Sequence, residues 1–265
     1  MSNAAFRSIF LVSLSLLVLF VGLFLGAAFL YSGPERLIGV LTEPAALQSI
    51  LLSLGTSALA TLLAFVFAIP AAYALTRWKI PGRAFIDMLL DLPIVLPPLV
   101  AGFCLLLLYA VLERAWSGGL SGGPLDLRFT RPGIVLAQFT IAAPLAVRVL
   151  RAAFAEVPER LETMSRSLGA GEARTFAAIS LPMSRNGIIA GIIMVWARSI
   201  AEFGPILVFC GAVRGKTDVL PIAIFLAFSN GELENGVALS ALLIVLGGIA
   251  IAGIRRLGGE GARLA

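Results

Sequence analysis

Histidine is absent from this 265-residue sequence, and cysteine occurs only twice. The chain therefore lacks the commonest metal ligand in proteins and the commonest general base, which argues against a metal centre and against acid–base catalysis. Two cysteines are too few for a disulfide framework. Cys104 and Cys210 both lie within or at the end of apolar runs, where small apolar side chains are expected, and a redox pair is the alternative.

Charged residues are also scarce. They make up 13% of the chain, whereas 59% of the residues are hydrophobic and the mean hydropathy is +1.00. Soluble domains carry about 25% charged residues, so a lipid bilayer is the simpler solvent for this composition. The net charge of +5 comes from basic residues in short connectors between apolar runs. Membrane topology explains that charge better than a nucleic-acid partner, which we do not expect.

Six apolar runs are each long enough to cross about 30 Å of hydrocarbon as a helix, which takes roughly 20 residues. Backbone groups in lipid must bond internally, so these runs predict helices and an all-α membrane protein, with residues 1–265 forming a single transmembrane domain. The first run is longer than the roughly 7–15 residues of a signal-peptide core, so we expect it to be retained. The predicted spans are Ile9–Tyr31, Leu47–Leu75, Leu92–Leu112, Gly133–Val157, Gly187–Gly211 and Gly236–Ile254.

The distribution of basic residues predicts the orientation. With the amino terminus in the cytoplasm, 13 of the 20 basic residues lie on the inner side and six on the outer side, as the positive-inside rule requires. Both termini are then cytoplasmic. The apolar segment Val219–Phe228 is too short to span and contains Pro221, so it is expected to be interfacial or re-entrant. The glycine-rich stretch Ser117–Pro124 is expected to be a flexible outer loop.

The longest inner loop, Pro158–Arg185, has a pattern of its own. Pro158 suits the first turn of a helix, Gly169–Gly171 allow a sharp corner, and a second short helix is predicted from Glu172 to about Ile179, ended by Pro182. One interpretation is an interfacial amphipathic hairpin that closes the cytoplasmic mouth. The other is a rigid knob that another protein grips.

This loop resembles a cytoplasmic motif of import permeases of the ATP-binding-cassette (ABC) class. That motif reads Glu-Ala-Ala, three residues, Gly, nine residues, then Ile-x-Leu-Pro. Four positions match the spacing, and they are Gly169, Ile179, Leu181 and Pro182. The leading triplet departs from the motif, because it reads Thr163-Met164-Ser165, with Glu162 one residue before it.

Other stretches resemble molybdate or tungstate permeases within that family. They are DLPIVLPPLVAGFCLLLL (91–108), GIVLAQFTIAAPLAVRVLRAAF (133–154), WARSIAEFGPILVFCG (196–211) and RGKTDVLPIAIF (214–225). The resemblance covers roughly residues 47–253. Sulfate and thiosulfate permeases share much of this pattern. The resemblance therefore indicates the class of transporter more strongly than it indicates the anion that is transported.

The resemblance implies a dimer of this chain in the cytoplasmic (inner) membrane, bound to two cytoplasmic ATP-binding subunits and served by a periplasmic or extracellular oxyanion-binding protein. It implies no cofactor in this chain, since ATP and Mg²⁺ would bind the partner ATPase. The part that couples to the ATPase is then the loop 158–185. The coupling residues that it implies are Glu162, Gly169, Ala170, Gly171, Glu172, Ile179, Leu181 and Pro182.

Charges and prolines inside the predicted spans are candidates for the transport path or its gate. Arg198 and Glu202 are four residues apart and share a helical face. They are either a neutralising pair that holds helices together or a path element in which Arg198 offsets the charge of an anion. Pro97, Pro98 and Pro144 kink helices, either as parts of a gate or as static packing features.

A stand-alone secondary transporter or channel is the alternative from another class. Such a protein needs its own coupling-ion site, yet Glu202 is the only acidic residue deep in a predicted span and Arg198 neutralises it. The phosphate-loop lookalike GAVRGKT (211–217) has one residue too few between its glycines. We therefore expect this chain not to be an enzyme.

Overall fold

The computed structural model describes the backbone of residues 3–115 and 126–257 and the side chains of residues 6–115 and 126–256. Over these ranges the regular structure is helical, without strands. The predicted loop Ser117–Pro124 lies outside the described residues. The helices are α1 (Asn3–Thr42), α2 (Pro44–Arg77), α3 (Arg83–Val95), α4 (Pro98–Ala115), α5 (Arg131–Ala155), α6 (Glu159–Ser167), α7 (Glu172–Thr175), a π-helical turn (Phe176–Ser180), α8 (Leu181–Met183), α9 (Arg185–Ile200), α10 (Gly204–Cys210), α11 (Leu220–Ser229) and α12 (Leu233–Leu257).

The centre of the fold is the packing of α2 on α5. A row of alanines spaced by four residues along α2 is fully buried, and small side chains in such a row let two helices approach closely. The facing surface of α5 supplies Ala142, Ala146 and Leu150. The alanines of α2 are Ala60, Ala64, Ala68 and Ala72.

Five described helices are long and apolar enough to cross a membrane, or six if the bent pair Glu172–Met183 and Arg185–Ile200 counts as one span. This agrees with the prediction of about six. Large apolar side chains stay exposed along α1, α2 and α4, as expected of surfaces in contact with lipid. The predicted segment Val219–Phe228 contains α11, a helix of 10 residues that is too short to span.

The first predicted span is part of a longer helix that changes direction. Ile9–Tyr31 lies within α1, and Gly33 interrupts the helical geometry with φ +67° and ψ 159°. Pro34 follows directly, and the residue before a proline avoids the helical region. The chain beyond this kink belongs to the part of α1 that packs on α12.

Two of the predicted spans are wrong, because neither forms one continuous helix. The run Leu92–Leu112 is not one helix, because α3 ends at Val95 and α4 begins at Pro98. The two consecutive prolines lack backbone donors, and Leu96 takes the extended conformation with ψ 141°, which a residue before proline prefers. The run Gly187–Gly211 is divided into α9 and α10. Pro205 cannot donate to the carbonyl four residues before it, so the helix stops at Ile200 and restarts at Gly204.

Candidate functional site

The loop Pro158–Arg185, which the sequence predicts to be the inner loop, has a left-handed glycine turn at its corner. Gly169 has φ +88°, its N–H donates to Arg166 O at 3.0 Å, and the next N–H, of Ala170, donates to Ser165 O at 3.1 Å. These two bonds form the Schellman motif, which satisfies the free carbonyls at the end of α6. Gly171 has an ordinary extended conformation and precedes α7. The predicted helix–glycine–helix shape is therefore present.

The predicted end of the second helix is wrong. Helical geometry continues from Glu172 through Pro182 to Met183, and the chain then bends by 70° into α9. The reason is the π-helical turn Phe176–Ser180, in which Leu181 N donates to Phe176 O, five residues back. Pro182 is the second residue of the short helix that follows, where a missing donor does no harm.

The outer surface of the loop exposes apolar side chains. Leu168 is 88% exposed and Met164 is 61% exposed, and residues four apart on a helix lie on the same face. We call Met164 and Leu168 the apolar tip. The other candidate residues lie at or near the surface, because Gly169, Gly171, Glu172 and Pro182 are exposed and Ala170, Ile179 and Leu181 are half-buried.

Glu162 differs from the other coupling candidates because it faces the interior of the chain. It is only 2% exposed. Its Oε2 accepts a hydrogen bond from Arg77 Nε at 2.8 Å, and its Oε1 accepts one from Ser180 Oγ at 2.7 Å. A carboxylate held this way is fixed in position, and it holds α6 against the end of α2 and the π-helical turn.

Sequence reasoning missed Arg77 and Ser180. In the sequence, Arg77 is one of several basic residues on the predicted inner side, and nothing marks it out from the others. Ser180 is the unspecified position of the Ile-x-Leu-Pro pattern. Arg77 is 85 residues from Glu162 in the chain. A buried partner at this separation leaves no periodic signal in a single sequence.

The glycine corner gives a testable contrast between two neighbouring glycines. A Cβ on either glycine would meet open space, so only the positive φ of Gly169 separates them. Gly169→Ala should weaken the corner by about 1–2 kcal/mol, which corresponds to about 5–30-fold faster hydrogen exchange at the amides of Gly169 and Ala170. Gly171→Ala is the matched control and should leave these rates unchanged. Equal rates in the two variants would contradict the turn.

The path candidates meet where two broken helices cross. A Cβ added to Gly204, at the start of α10, would lie 2.6 Å from Pro98 C, and one added to Gly102 would lie 2.9 Å from Pro205 Cα. The break at Leu96–Pro97 and the break before Gly204 are therefore in close contact. Pro97 and Pro98 are exposed at this crossing.

Arg198 and Glu202 lie at the same break. Arg198 Nη1 donates to Glu202 Oε2 at 2.5 Å, and the side chain of Glu202 is 1% exposed while that of Arg198 is 41% exposed. Gln138 of α5, a further residue that sequence reasoning missed, is buried and donates from Nε2 to Ser199 O at 3.1 Å. This bond is the second one to Ser199 O, which also accepts from Glu202 N at 3.2 Å at the end of α9.

The coupling candidates in the loop and the path candidates at the helix crossing are separate, but α9 joins the two places. Arg185 begins α9 beside the loop and Arg198 lies near its end, so about 20 Å of helix separates them. Pro144 is not at a break, because α5 stays helical from Arg131 to Ala155 through it. The arrangement connects an exposed loop surface to a helix crossing by way of α9.

The family profile described as "Binding-protein-dependent transport system inner membrane component" matches residues 64–257. The molybdenum transport system permease protein ModB of Escherichia coli (strain K12) is 38% identical over 201 residues, which cover 75% of this chain and 86% of ModB. The molybdate/tungstate transport system permease protein WtpB of Thermococcus kodakarensis is 35% identical over 215 residues, covering 81% and 80%. A probable sulfate transport system permease protein, cysT of Nephroselmis olivacea, is 28% identical over 240 residues, covering 88% and 84%.

Two solved structures are similar in fold. A chain in the crystal structure of a bacterial ABC transporter involved in the import of the acidic polysaccharide alginate superposes with a TM-score of 0.72 and covers 98% of this chain and 97% of its own. A chain of the alginate transporter in complex with an alginate pentasaccharide-bound periplasmic protein gives 0.68 and covers 98% and 96%. The identities of 16% and 17% limit this likeness to the fold.

Proposed function

Because the chain belongs to the family of binding-protein-dependent transport system inner membrane components, we propose that it is the membrane-spanning subunit of an ATP-driven importer of molybdate or tungstate. In this proposal two copies pair in the cytoplasmic membrane, with their termini inside, and each binds one cytoplasmic ATP-binding subunit. An external oxyanion-binding protein delivers the anion. ATP and Mg²⁺ bind to the ATPase partner, and this chain performs no catalysis itself.

The observation that best supports an ATPase-binding surface on this chain is the apolar tip of the inner loop. A leucine that is 88% exposed and a methionine that is 61% exposed lie together at the end of α6, next to the exposed charged and polar side chains of that helix. Exposed apolar groups rimmed by polar residues are typical of protein-protein contact surfaces. The Schellman turn and the buried Glu162 hold this tip in a fixed position, which lowers the entropic cost of binding. These contacts support the coupling role of Gly169–Glu172 and of Ile179, Leu181 and Pro182.

The anion is proposed from the relatives and from one side chain. The molybdate and molybdate/tungstate permeases are 35–38% identical to this chain, against 28% for the sulfate relative. Arg198 lies at the helix crossing with two-fifths of its side chain accessible, and Glu202 holds its guanidinium in place. A guanidinium group has five N–H donors, so a bond to one carboxylate leaves donors for a passing oxyanion. We assign Arg198, Glu202, Pro97 and Pro98 to the path, and Pro144 to the flexing of α5 beside it.

Uptake into liposomes tests this function. The vesicles would hold this subunit with its ATPase, the binding protein would be outside, and molybdate uptake would be measured with tungstate or sulfate as competitor. We expect uptake that requires internal ATP and is blocked by tungstate but not by sulfate. If sulfate blocked the uptake and tungstate did not, sulfate would be assigned as the transported anion. Uptake without ATP or without the ATPase would overturn the proposal in favour of a secondary transporter or channel.

A further inference from the structure

The last residue of α2, Arg77, contacts two other segments of the chain. Arg77 donates from Nη2 to the carbonyl oxygens of Phe154 and Val157, at 2.9 and 2.8 Å, and from Nε to Glu162 at 2.8 Å. Phe154 lies in the last turn of α5, and Val157 is the second residue after that helix ends. One guanidinium group therefore joins the ends of α2 and α5 to the first helix of the inner loop.

Glu162 extends this contact to a fourth segment. Its second oxygen accepts the hydrogen bond from Ser180 Oγ at 2.7 Å, and Ser180 is fully buried in the π-helical turn. That turn lies just before the 70° bend that leads into α9. We call the three residues Arg77, Glu162 and Ser180 the buried clamp. Single π-helical turns occur frequently at functional sites in helices.

The buried clamp is separate from the apolar tip. The side chains of Arg77 and Glu162 are 9% and 2% exposed, so neither is available to touch a partner protein. The clamp contacts the chain's own helices, whereas Met164 and Leu168 of the same loop face outward. A displacement of the tip would move α6. The hydrogen bonds of the clamp would then transmit that movement to α2, α5 and the turn before α9.

A buried ion pair is a rigid link because its alternatives are unfavourable. If Glu162 separated from Arg77, a charged carboxylate would be left buried without its partner, and that is strongly disfavoured. Ordinary apolar packing can slide, whereas this arrangement has one low-energy geometry, in which Arg77 donates three directed hydrogen bonds. The four segments are therefore expected to move together at this point.

We propose that the buried clamp transmits the movement of the inner loop to α2, α5 and α9, and so couples ATP hydrolysis to opening of the helix crossing near Arg198. Arg77 and Ser180 are positioning residues in this inference, because they act through Glu162. The inference rests on the proposed function, since it requires an ATPase that moves the loop. It adds a specific route by which the loop acts on the path about 20 Å away along α9.

The test compares two buried serines, one before and one after the short helix α8. Ser180→Ala removes the hydroxyl that joins the turn to Glu162. Ser184→Ala removes a hydroxyl that donates to a backbone carbonyl four residues back, Ser180 O, at 2.7 Å and makes no bond to Glu162, so it is the matched control. Molybdate imported per ATP hydrolysed would be measured in the liposomes with the assembled complex. We expect this ratio to fall about tenfold in Ser180→Ala, as for the loss of one hydrogen bond to a charged group, and to stay at the wild-type value in Ser184→Ala.

The ratio separates coupling from a merely structural role. A variant that only lowered the amount of folded complex would reduce import and hydrolysis together and leave the ratio unchanged, which would overturn the clamp. Arg77→Lys is a second variant. A single ammonium group lacks the fork that reaches the α5 carbonyls and Glu162 together, so this variant should also lower the ratio. A normal ratio in both variants overturns the clamp alone, whereas wild-type vesicles without ATP-dependent import overturn the proposed function as well.

Discussion

Gly204→Ala is expected to destabilise the purified subunit by about 3 kcal/mol, the upper part of the range for overpacking. The added Cβ would lie 2.6 Å from Pro98 C and 2.8 Å from Leu99 N. Both are backbone atoms, which cannot move aside as a side-chain end can. The contact between the two helix breaks would have to open, and transport should fall with it because Arg198 and Glu202 lie at the same crossing.

The stability of this variant would be followed by thermal unfolding in detergent. Gly55→Ala is the control, because Gly55 also lies in a helix and a Cβ there meets nothing within 4 Å. This control should be neutral or more stable by up to about 1 kcal/mol, since alanine favours helices over glycine. If Gly204→Ala unfolded like Gly55→Ala, the close contact between α4 and α10 would be wrong.

Leu168→Asn is expected to weaken binding of the ATPase subunit by about 30-fold or more, which corresponds to the roughly 2 kcal/mol of an interface hot spot. Leu168 is 88% exposed in the chain by itself, so the substitution removes little from the fold. Surface changes of this kind usually shift stability by no more than about 0.5 kcal/mol. The loss should therefore be confined to the complex.

The affinity would be measured by titrating the ATPase onto the subunit in nanodiscs. Leu168→Met is the matched control, because it keeps an apolar side chain of similar volume at the same position, and it should bind like the wild type. Two variants of equal affinity would show that the apolar tip is not part of the ATPase interface. The loop would then be an interfacial hairpin, the alternative left open by its sequence.

Local signals predicted the spans and the corner of the inner loop. A long apolar run is read along the chain, and the described helices α2, α5 and α12 cover most of three predicted spans. Gly169 could be predicted because a positive φ is a requirement of one residue and glycine meets it at no cost. The break at Leu96 also has a local sign in the two consecutive prolines, which interrupt an otherwise continuous hydrophobic run.

Long-range partners could not be predicted in this way. The resemblance implies that Glu162 is one of the coupling residues, whereas folding turns its side chain inward to Arg77 and Ser180. The contact of Gly204 with Pro98 also joins residues that are far apart in the chain. Periodicity and spacing describe the neighbours of a residue along its own helix. They do not indicate which second helix packs against that residue.

By itself the sequence determined that this protein is a helical membrane protein with a helix–glycine–helix loop, because hydrophobicity, proline and glycine act on the chain locally. The ABC-permease character of that loop came from its resemblance to the family motif. The tertiary structure alone decided which loop residues are exposed and which face the interior. It also decided that two helix breaks meet beside Arg198 and Glu202. These outcomes depend on burial, and the burial of a charged or small residue is set by the helices that pack around it.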